Sequence, residues 1–460
     1  MPNWIVLLLI FIEGFVSISI EILAIRQVIP FVGNTIVITT TVIAFFLLAL
    51  ALGYMRGGQR EGAGLRQMVN NFVIASFIAG IGLSYVFVEA MFTGLETLGL
   101  PGYVILILYL VFIISPAVYL LGQTIPLATR YFRIGDVSKI SGSVLFLSTI
   151  GSFVGSIGTA AILFMTIGVA LSIFIIFTML ILCAMVIEAK TSLRTGIFTS
   201  LCIGIIAIYI VNVEYENSRF ITSNAYAYVE IDAFEDAQYG GTTKTFKLDN
   251  NHTSLRRQDN TGYAYIELMK KIIFDDLLLR NKNILSLGAG GFSLTAQSAY
   301  GNNVTYVDIN PDLDDAALQG FQDQINGSVI TQDARQYVRK HPREFDAIVL
   351  DVFSKQFSIP EHLVTVEAMQ DLKSAVKPGG FVLMNIVMDS YFRDAYSQRI
   401  IQTVNTVFGP CSVIPVHLKD DYDTNNIIVC RVSDSLKRVS AGSFYSDDHN
   451  RSSIDMFKRQ

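Results

Sequence analysis

Three aspartates in the C-terminal half each follow a strand-like run, and their spacing suits the binding of a nucleoside. Asn283–Leu287 reads as a strand that runs straight into Gly288-Ala289-Gly290-Gly291. Glycines at such a turn let the backbone approach a ligand closely, at the start of the helix expected next. The second run, Val304–Val307, ends in Asp308, twenty residues after Gly288. An acid at that offset accepts hydrogen bonds from ribose hydroxyls. The third, Ser328–Thr331, leads to Asp333, which can accept from an adenine amino group and can equally cap the helix that starts there. The fourth, Phe345–Leu350, delivers Asp351 at its carboxyl end. Ligands of open α/β sheets bind at that edge, so Asp351 points at the chemistry.

These residues need a scaffold of alternating strands and helices. Residues 219–258 read as short β-hairpins, with alternating Tyr226, Tyr228, Val229 and Ile231, a Gly240-Gly241 turn and Thr245–Leu248. Residues 262–279 carry helical periodicity in Tyr265, Leu268, Met269, Ile272 and Ile273. Lys377-Pro378-Gly379-Gly380 turns into a fifth strand, Phe381–Ile386. Strand-then-helix units in this order predict a doubly wound parallel sheet.

The N-terminal part belongs to another solvent. Only 16% of the chain is charged, against about 25% in an ordinary soluble domain. Residues 1–213 hold nine Lys/Arg and seven Asp/Glu, and residues 214–460 hold 25 and 32. Seven apolar stretches, about 4–30, 35–55, 70–93, 102–128, 142–165, 168–188 and 196–213, have the length a bilayer crossing needs. Gly151, Gly155 and Gly158, with Ser148 and Ser152, have the spacing that lets helices approach closely in lipid. Glu13, Glu21, Arg26 and Glu89 fall inside these stretches, as structural ion pairs or as the lining of a polar path. The fold class expected is a multi-span α-helical membrane domain (1–213) followed by an α/β Rossmann-like domain. A β-hairpin subdomain (214–260) precedes the nucleoside-cofactor part (261–460).

The acidic second half argues against a nucleic-acid partner. The five histidines lack metal-ligand spacing, so no metal site is expected. The four cysteines, Cys183, Cys202, Cys411 and Cys430, show no C-x-x-C and read as small buried hydrophobes, with a Cys411–Cys430 disulfide left open.

The ordered set of segments resembles the class I S-adenosylmethionine fold, and within it the spermidine synthase family, over about residues 224–435. The matching segments are Phe246-Lys247-Leu248-Asp249, Tyr265-Ile266-Glu267, the Gly288–Gly291 loop, Tyr306-Val307-Asp308-Ile309, Asp333-Ala334-Arg335-Gln336-Tyr337-Val338, and Asp351 followed by Ile359-Pro360-Glu361-His362-Leu363. The membrane half resembles that of the membrane-fused members, which implies an integral protein of a bacterial inner membrane. The resemblance implies that Gly288 and Gly290 line the cofactor, that Asp308 with Ile309 holds its ribose, and that Asp333-Ala334 reads adenine. It makes Asp351 the base that deprotonates an attacking amine, which displaces methylthioadenosine from decarboxylated S-adenosylmethionine. Tyr265 then helps position that amine, with Glu267 and Ser354 at the amine site. Three departures stand out. Gly291 replaces an acid of the soluble members, Tyr265-Ile266-Glu267 replaces Tyr-His-Glu, and Ser354, with Lys355 beside it, replaces a second acid.

The function expected is aminopropyl transfer to an amine. Methyl transfer from intact S-adenosylmethionine is one alternative, and a non-catalytic nucleoside-binding sensor or transport partner is another. The expected partners are an amine, the lipid bilayer and, as an open alternative, further copies of the chain. Eight Lys/Arg fall in alternate short loops and none in the others. With seven crossings this charge pattern puts the α/β domain outside the cell, whereas a cytosolic cofactor requires it inside. The cytoplasmic face is the expectation adopted.

Overall fold

A computed structural model describes residues 2–33, 35–59, 64–132, 137–191, 195–236, 240–353, 359–417, 424–433 and 444–457. Its contacts divide the chain into two units, Met1–Ala225 and Tyr226–Gln460.

The first unit is helical: α1 (Asn3–Val32), α2 (Ile36–Gln59), α3 (Gly64–Gly82), α4 (Tyr85–Glu96), α5 (Gly102–Tyr131), α6 (Ile140–Thr166), α7 (Gly168–Ala189) and α8 (Phe198–Arg219). Six of these, α1, α2 and α5 to α8, are each long and apolar enough to cross a membrane, as an integral membrane protein requires. The stretch expected at 70–93 is instead a pair, α3 and α4, bent by 63°. The break is held by contacts with other helices. A Cβ on Gly82 would lie 2.2 Å from the Ile113 side chain, and the carbonyls freed there find side-chain donors. Tyr109 Oη donates to Gly82 O at 2.9 Å, and Asn212 Nδ2 donates to Gly80 O at 3.0 Å. Ser84 Oγ then caps the next helix by accepting from Phe87 N.

Close packing explains the glycine spacing of α6. A Cβ on Gly151 or Gly155 would lie 2.1 or 2.5 Å from a carbonyl oxygen of α1, that of Phe11 or Phe15. Only bare backbones fit at this distance. Across the same seam Ser148 Oγ donates to Glu13 Oε2 at 3.3 Å, Ser152 Oγ donates to Gly14 O at 3.1 Å, and Ser19 meets Thr159 at 2.7 Å. Arg26 Nε donates to Asn224 O at 3.2 Å, and Glu89 pairs with Arg219. Three of the four ionisable residues thus have structural partners, and the fourth, Glu21, is buried.

The second unit opens with antiparallel β1 (Tyr228–Glu235), β2 (Thr242–Leu248) and β3 (Asn251–Arg256). The strands of its main sheet are β4 (Asn283–Leu287), β5 (Asn303–Asp308), β6 (Ser328–Thr331), β7 (Phe345–Leu350), β8 (Val376–Met388), β9 (Ser412–Pro415) and β10 (Thr424–Arg431). Their order is β9-β10-β8-β7-β4-β5-β6, parallel from β8 to β6, with β10 antiparallel to both its neighbours, β8 and β9. This is the Rossmann-like sheet of the class I fold. The switch in strand order falls at β4, between β5 and β7, which places the ligand crevice above the ends of these strands. Leu285, Leu287, Val307, Ile348 and Leu350 are fully or almost fully buried between the helical layers, so the carboxyl ends are held rigidly.

Two expectations need correction. No full helix follows the glycine turn: Phe292 adopts φ 59° and only a single 3₁₀ turn, Ser293–Thr295, comes next. A helix dipole therefore does not assist this loop. Cys411 and Cys430 do not remain as separate buried thiols, because they form a disulfide with Cα atoms 4.7 Å apart. The register makes the pair adjacent. Ser412 faces Val429, so the preceding and following residues meet at the sheet edge.

Candidate active site

The strand register brings the sequence-selected residues to one edge of the sheet. Gly288 N donates to Val307 O and Asp351 N donates to Leu287 O, both at 2.9 Å, which ties the turn after β4 to both neighbours. A Cβ on Gly288 would lie 2.2 Å from Asp351 O, and the residue adopts φ 89°. Glycine is required there on both counts.

Asp308 already has work in this geometry. Its Oδ2 accepts from Ala289 N at 2.9 Å and its Oδ1 from Asn310 N at 3.0 Å. Burial raises its pKa, and these backbone donors oppose the rise. The carboxylate thus holds the glycine turn in place and remains near the crevice. Ile309 beside it is 48% exposed, an apolar surface available to a ligand.

Ser254 on β3 braces the turn from the hairpin side, with Oγ accepting from Gly291 N at 3.0 Å, while Gln322 Nε2 donates to Gly291 O at 2.7 Å. A Cβ on Gly291 would lie 2.5 Å from the Phe321 ring and 2.9 Å from Ser254 Cβ. Any side chain at this position would have to displace both neighbours. Gly290 adopts φ 49° against Thr253 and Ser254.

Asp333 caps helix α9 (Ala334–Lys340), its Oδ1 accepting from Gln336 N at 2.8 Å. His362 Nε2 lies 3.4 Å from its Oδ2. Ala334 packs on the core at the first helical position. Arg335 next to it is committed elsewhere, paired with Asp371 and bidentate to Asp447 at 2.7–2.9 Å.

Asp351 accepts from Asn385 Nδ2 at 2.8 Å, and the Tyr265 phenol lies beside it. Loss of surrounding water pushes the Asp351 pKa up to about 6, and these two neutral groups oppose that rise. Burial and the adjacent Asp351 charge push the Tyr265 phenol well above its ordinary value. Tyr265 therefore stays protonated, and its hydroxyl donates to Thr253 O at 3.2 Å. Tyr263 lies alongside it with ring centroids 6.4 Å apart. Glu267 is engaged locally through Oε1, which accepts from Gly262 N at 2.7 Å and from Lys270 Nζ at 2.8 Å. Ser354 lies outside the described residues.

The residues that sequence reasoning missed are Ser254, Asn385 and Asn425, whose Nδ2 donates to Asn385 Oδ1 at 3.1 Å. Asn385 left one signal, a lone polar residue in the apolar run Phe381–Met388.

No family model matches the chain. It is 31% identical over 162 residues to an N-terminal histidine N-methyltransferase of Emericella nidulans, covering 33% of this chain and 28% of that protein. It is 23% identical over 207 residues to a probable polyamine aminopropyl transferase of Bifidobacterium longum, covering 44% of each. It is 27% identical over 202 residues to a polyamine aminopropyltransferase of Vibrio vulnificus, covering 42% of this chain and 66% of that protein. The chain thus spans between about a quarter and two-thirds of the length of these relatives.

Proposed function

We propose that this spermidine synthase-like chain transfers an aminopropyl group from decarboxylated S-adenosylmethionine to an amine, releasing methylthioadenosine. The observation that carries the reading is Asp351, a carboxylate at the sheet edge that accepts from the neutral amide of Asn385 and has the Tyr265 phenol beside it. An ammonium has no lone pair to attack with, and a base with a pKa of about 6 is ionised and ready near neutral pH. Asp308 and the Gly288–Gly290 turn would take the ribose and the adjoining chain of the nucleoside, with Asp333-Ala334 at the adenine. Tyr265, beside the base, would help position the amine. Two relatives named as aminopropyltransferases support this reading. The assay is release of methylthioadenosine from decarboxylated S-adenosylmethionine with a panel of amines. Release of adenosylhomocysteine from intact S-adenosylmethionine, with no methylthioadenosine, would instead make the chain a methyltransferase.

We assign the α/β unit to the cytoplasmic face, where adenosyl compounds are made. That requires an even number of crossings, which holds if the bent pair α3 and α4 does not count as one. The Cys411–Cys430 disulfide favours a second reading, since disulfides persist in oxidising compartments. The loop charges point the same way. On the outer face the unit would be a nucleoside-binding sensor or transport partner. A reporter fused at Gln460 is expected to fluoresce as a cytoplasmic protein and to show no phosphatase activity when the reporter is a periplasmic phosphatase. The opposite pattern would reject the cytoplasmic assignment and favour the sensor.

A further inference from the structure

Strand register sets up a row of three polar side chains across the sheet edge. Leu350 on β7 pairs with Met384 on β8, so the next residues, Asp351 and Asn385, are neighbours on one face. On its other side Asn385 pairs with Ile427 of β10, and Asn425, two residues earlier, projects from that same face. The contacts follow: Asn425 Nδ2 donates to Asn385 Oδ1 at 3.1 Å, and Asn385 Nδ2 donates to Asp351 Oδ1 at 2.8 Å. Asn385 is 1% exposed, so its amide has no bulk water to satisfy it.

The direction of the row is chemically fixed. A carboxylate only accepts, so Asn385 must face Asp351 with its NH₂ end, and its oxygen must then find a donor elsewhere. Asn425 supplies that donor. We propose that Asn385 is the positioning residue for the candidate base: held by Asn425, it fixes the orientation of the Asp351 carboxylate toward the amine. The proposal rests on the reading of Asp351 as the base. A neutral amide suits the task. An arginine there would hold the carboxylate as a weak base, and a second carboxylate would share its proton.

The test is a titration of the full-length protein in nanodiscs, labelled with ¹³C-carboxyl aspartate. The Asp351 resonance is assigned by its loss in Asp351→Asn. Removing a hydrogen bond to a charged group in Asn385→Ala is expected to move the Asp351 midpoint up by about one to two pH units. The acid limb of the turnover profile should move with it, and turnover at neutral pH should fall about tenfold. Asn425→Ala is expected to shift both in the same direction by less, and Asn385→Gln to recover part of the loss. An unchanged Asp351 midpoint in folded Asn385→Ala would overturn the proposal, and so would an unchanged midpoint in Asn425→Ala if the former does not fold. The titration requires no acceptor amine. It therefore decides the role of Asn385 even where absence of turnover has removed the aminopropyl reading.

Discussion

Asp351→Asn is expected to lower turnover by about 10²–10⁴-fold, the range of general-base contributions, while leaving nucleoside affinity nearly unchanged. Asparagine keeps the shape and can still meet Asn385 and Tyr265, but it has no charge to attract an ammonium and takes no proton. In the wild type, kcat/KM should rise with pH through about 6 and level off above it, because the ionised carboxylate is the active form. The same group predicts an opposite trend in stability. Its pKa is raised from 3.8 to about 6 on folding, so the folded state holds its proton more tightly than the unfolded chain does. Its contribution to stability is therefore full below pH 3.8 and is lost as pH rises through about 6. The asparagine variant avoids that loss, so at neutral pH it should melt at or above the wild-type temperature while being far slower. A variant that turns over within a few-fold of wild type would show that Asp351 is structural. One that is both slow and unstable would point to a packing role.

Asp308→Ala is expected to weaken binding of methylthioadenosine by about 10- to 150-fold, the equivalent of roughly 1.5–3 kcal/mol for a lost charged acceptor. The geometry adds a second reason for the loss. The carboxylate accepts from Ala289 N and Asn310 N, so the substitution also releases the turn that the nucleoside would rest on. Asp308→Asn separates the two contributions. It retains one acceptor for a backbone amide but removes the charge, and should fall between wild type and alanine. Calorimetry with methylthioadenosine measures all three. Unchanged affinity in Asp308→Ala would remove the ribose assignment and leave Asp308 as a brace for the turn.

The strands bearing these acids were legible because each is a short strand-like run ending in a polar residue, as in Phe345–Leu350 before Asp351. What was not legible depends on pairing between distant segments. Asn385 reads as a tolerated polar residue until β10 is laid beside β8 and Asn425 comes within 3.1 Å. Cys411 and Cys430 look like two isolated thiols until β9 and β10 are in register. The break between α3 and α4 was hidden by continuous apolarity, since the donors that stabilise it, Tyr109 and Asn212, come from elsewhere in the chain. Gly291 is a different case. The glycine was visible in the sequence, whereas the Phe321 ring and Ser254 that crowd the space beside it required the structure.

The seam between α1 and α6 also bears on biosynthesis. Glu13 meets Ser148 across 135 residues of chain, and Ser19 meets Thr159 across 140. At about 5–20 residues per second, α6 leaves the ribosome roughly 7–27 s after α1. During that interval Glu13 lacks Ser148, and an ionisable side chain in an apolar setting costs a few kcal/mol. The apolar length of α1 still favours insertion, but its final position has to wait. The helix pair is completed only when Gly151 and Gly155 arrive and let the two backbones close on each other.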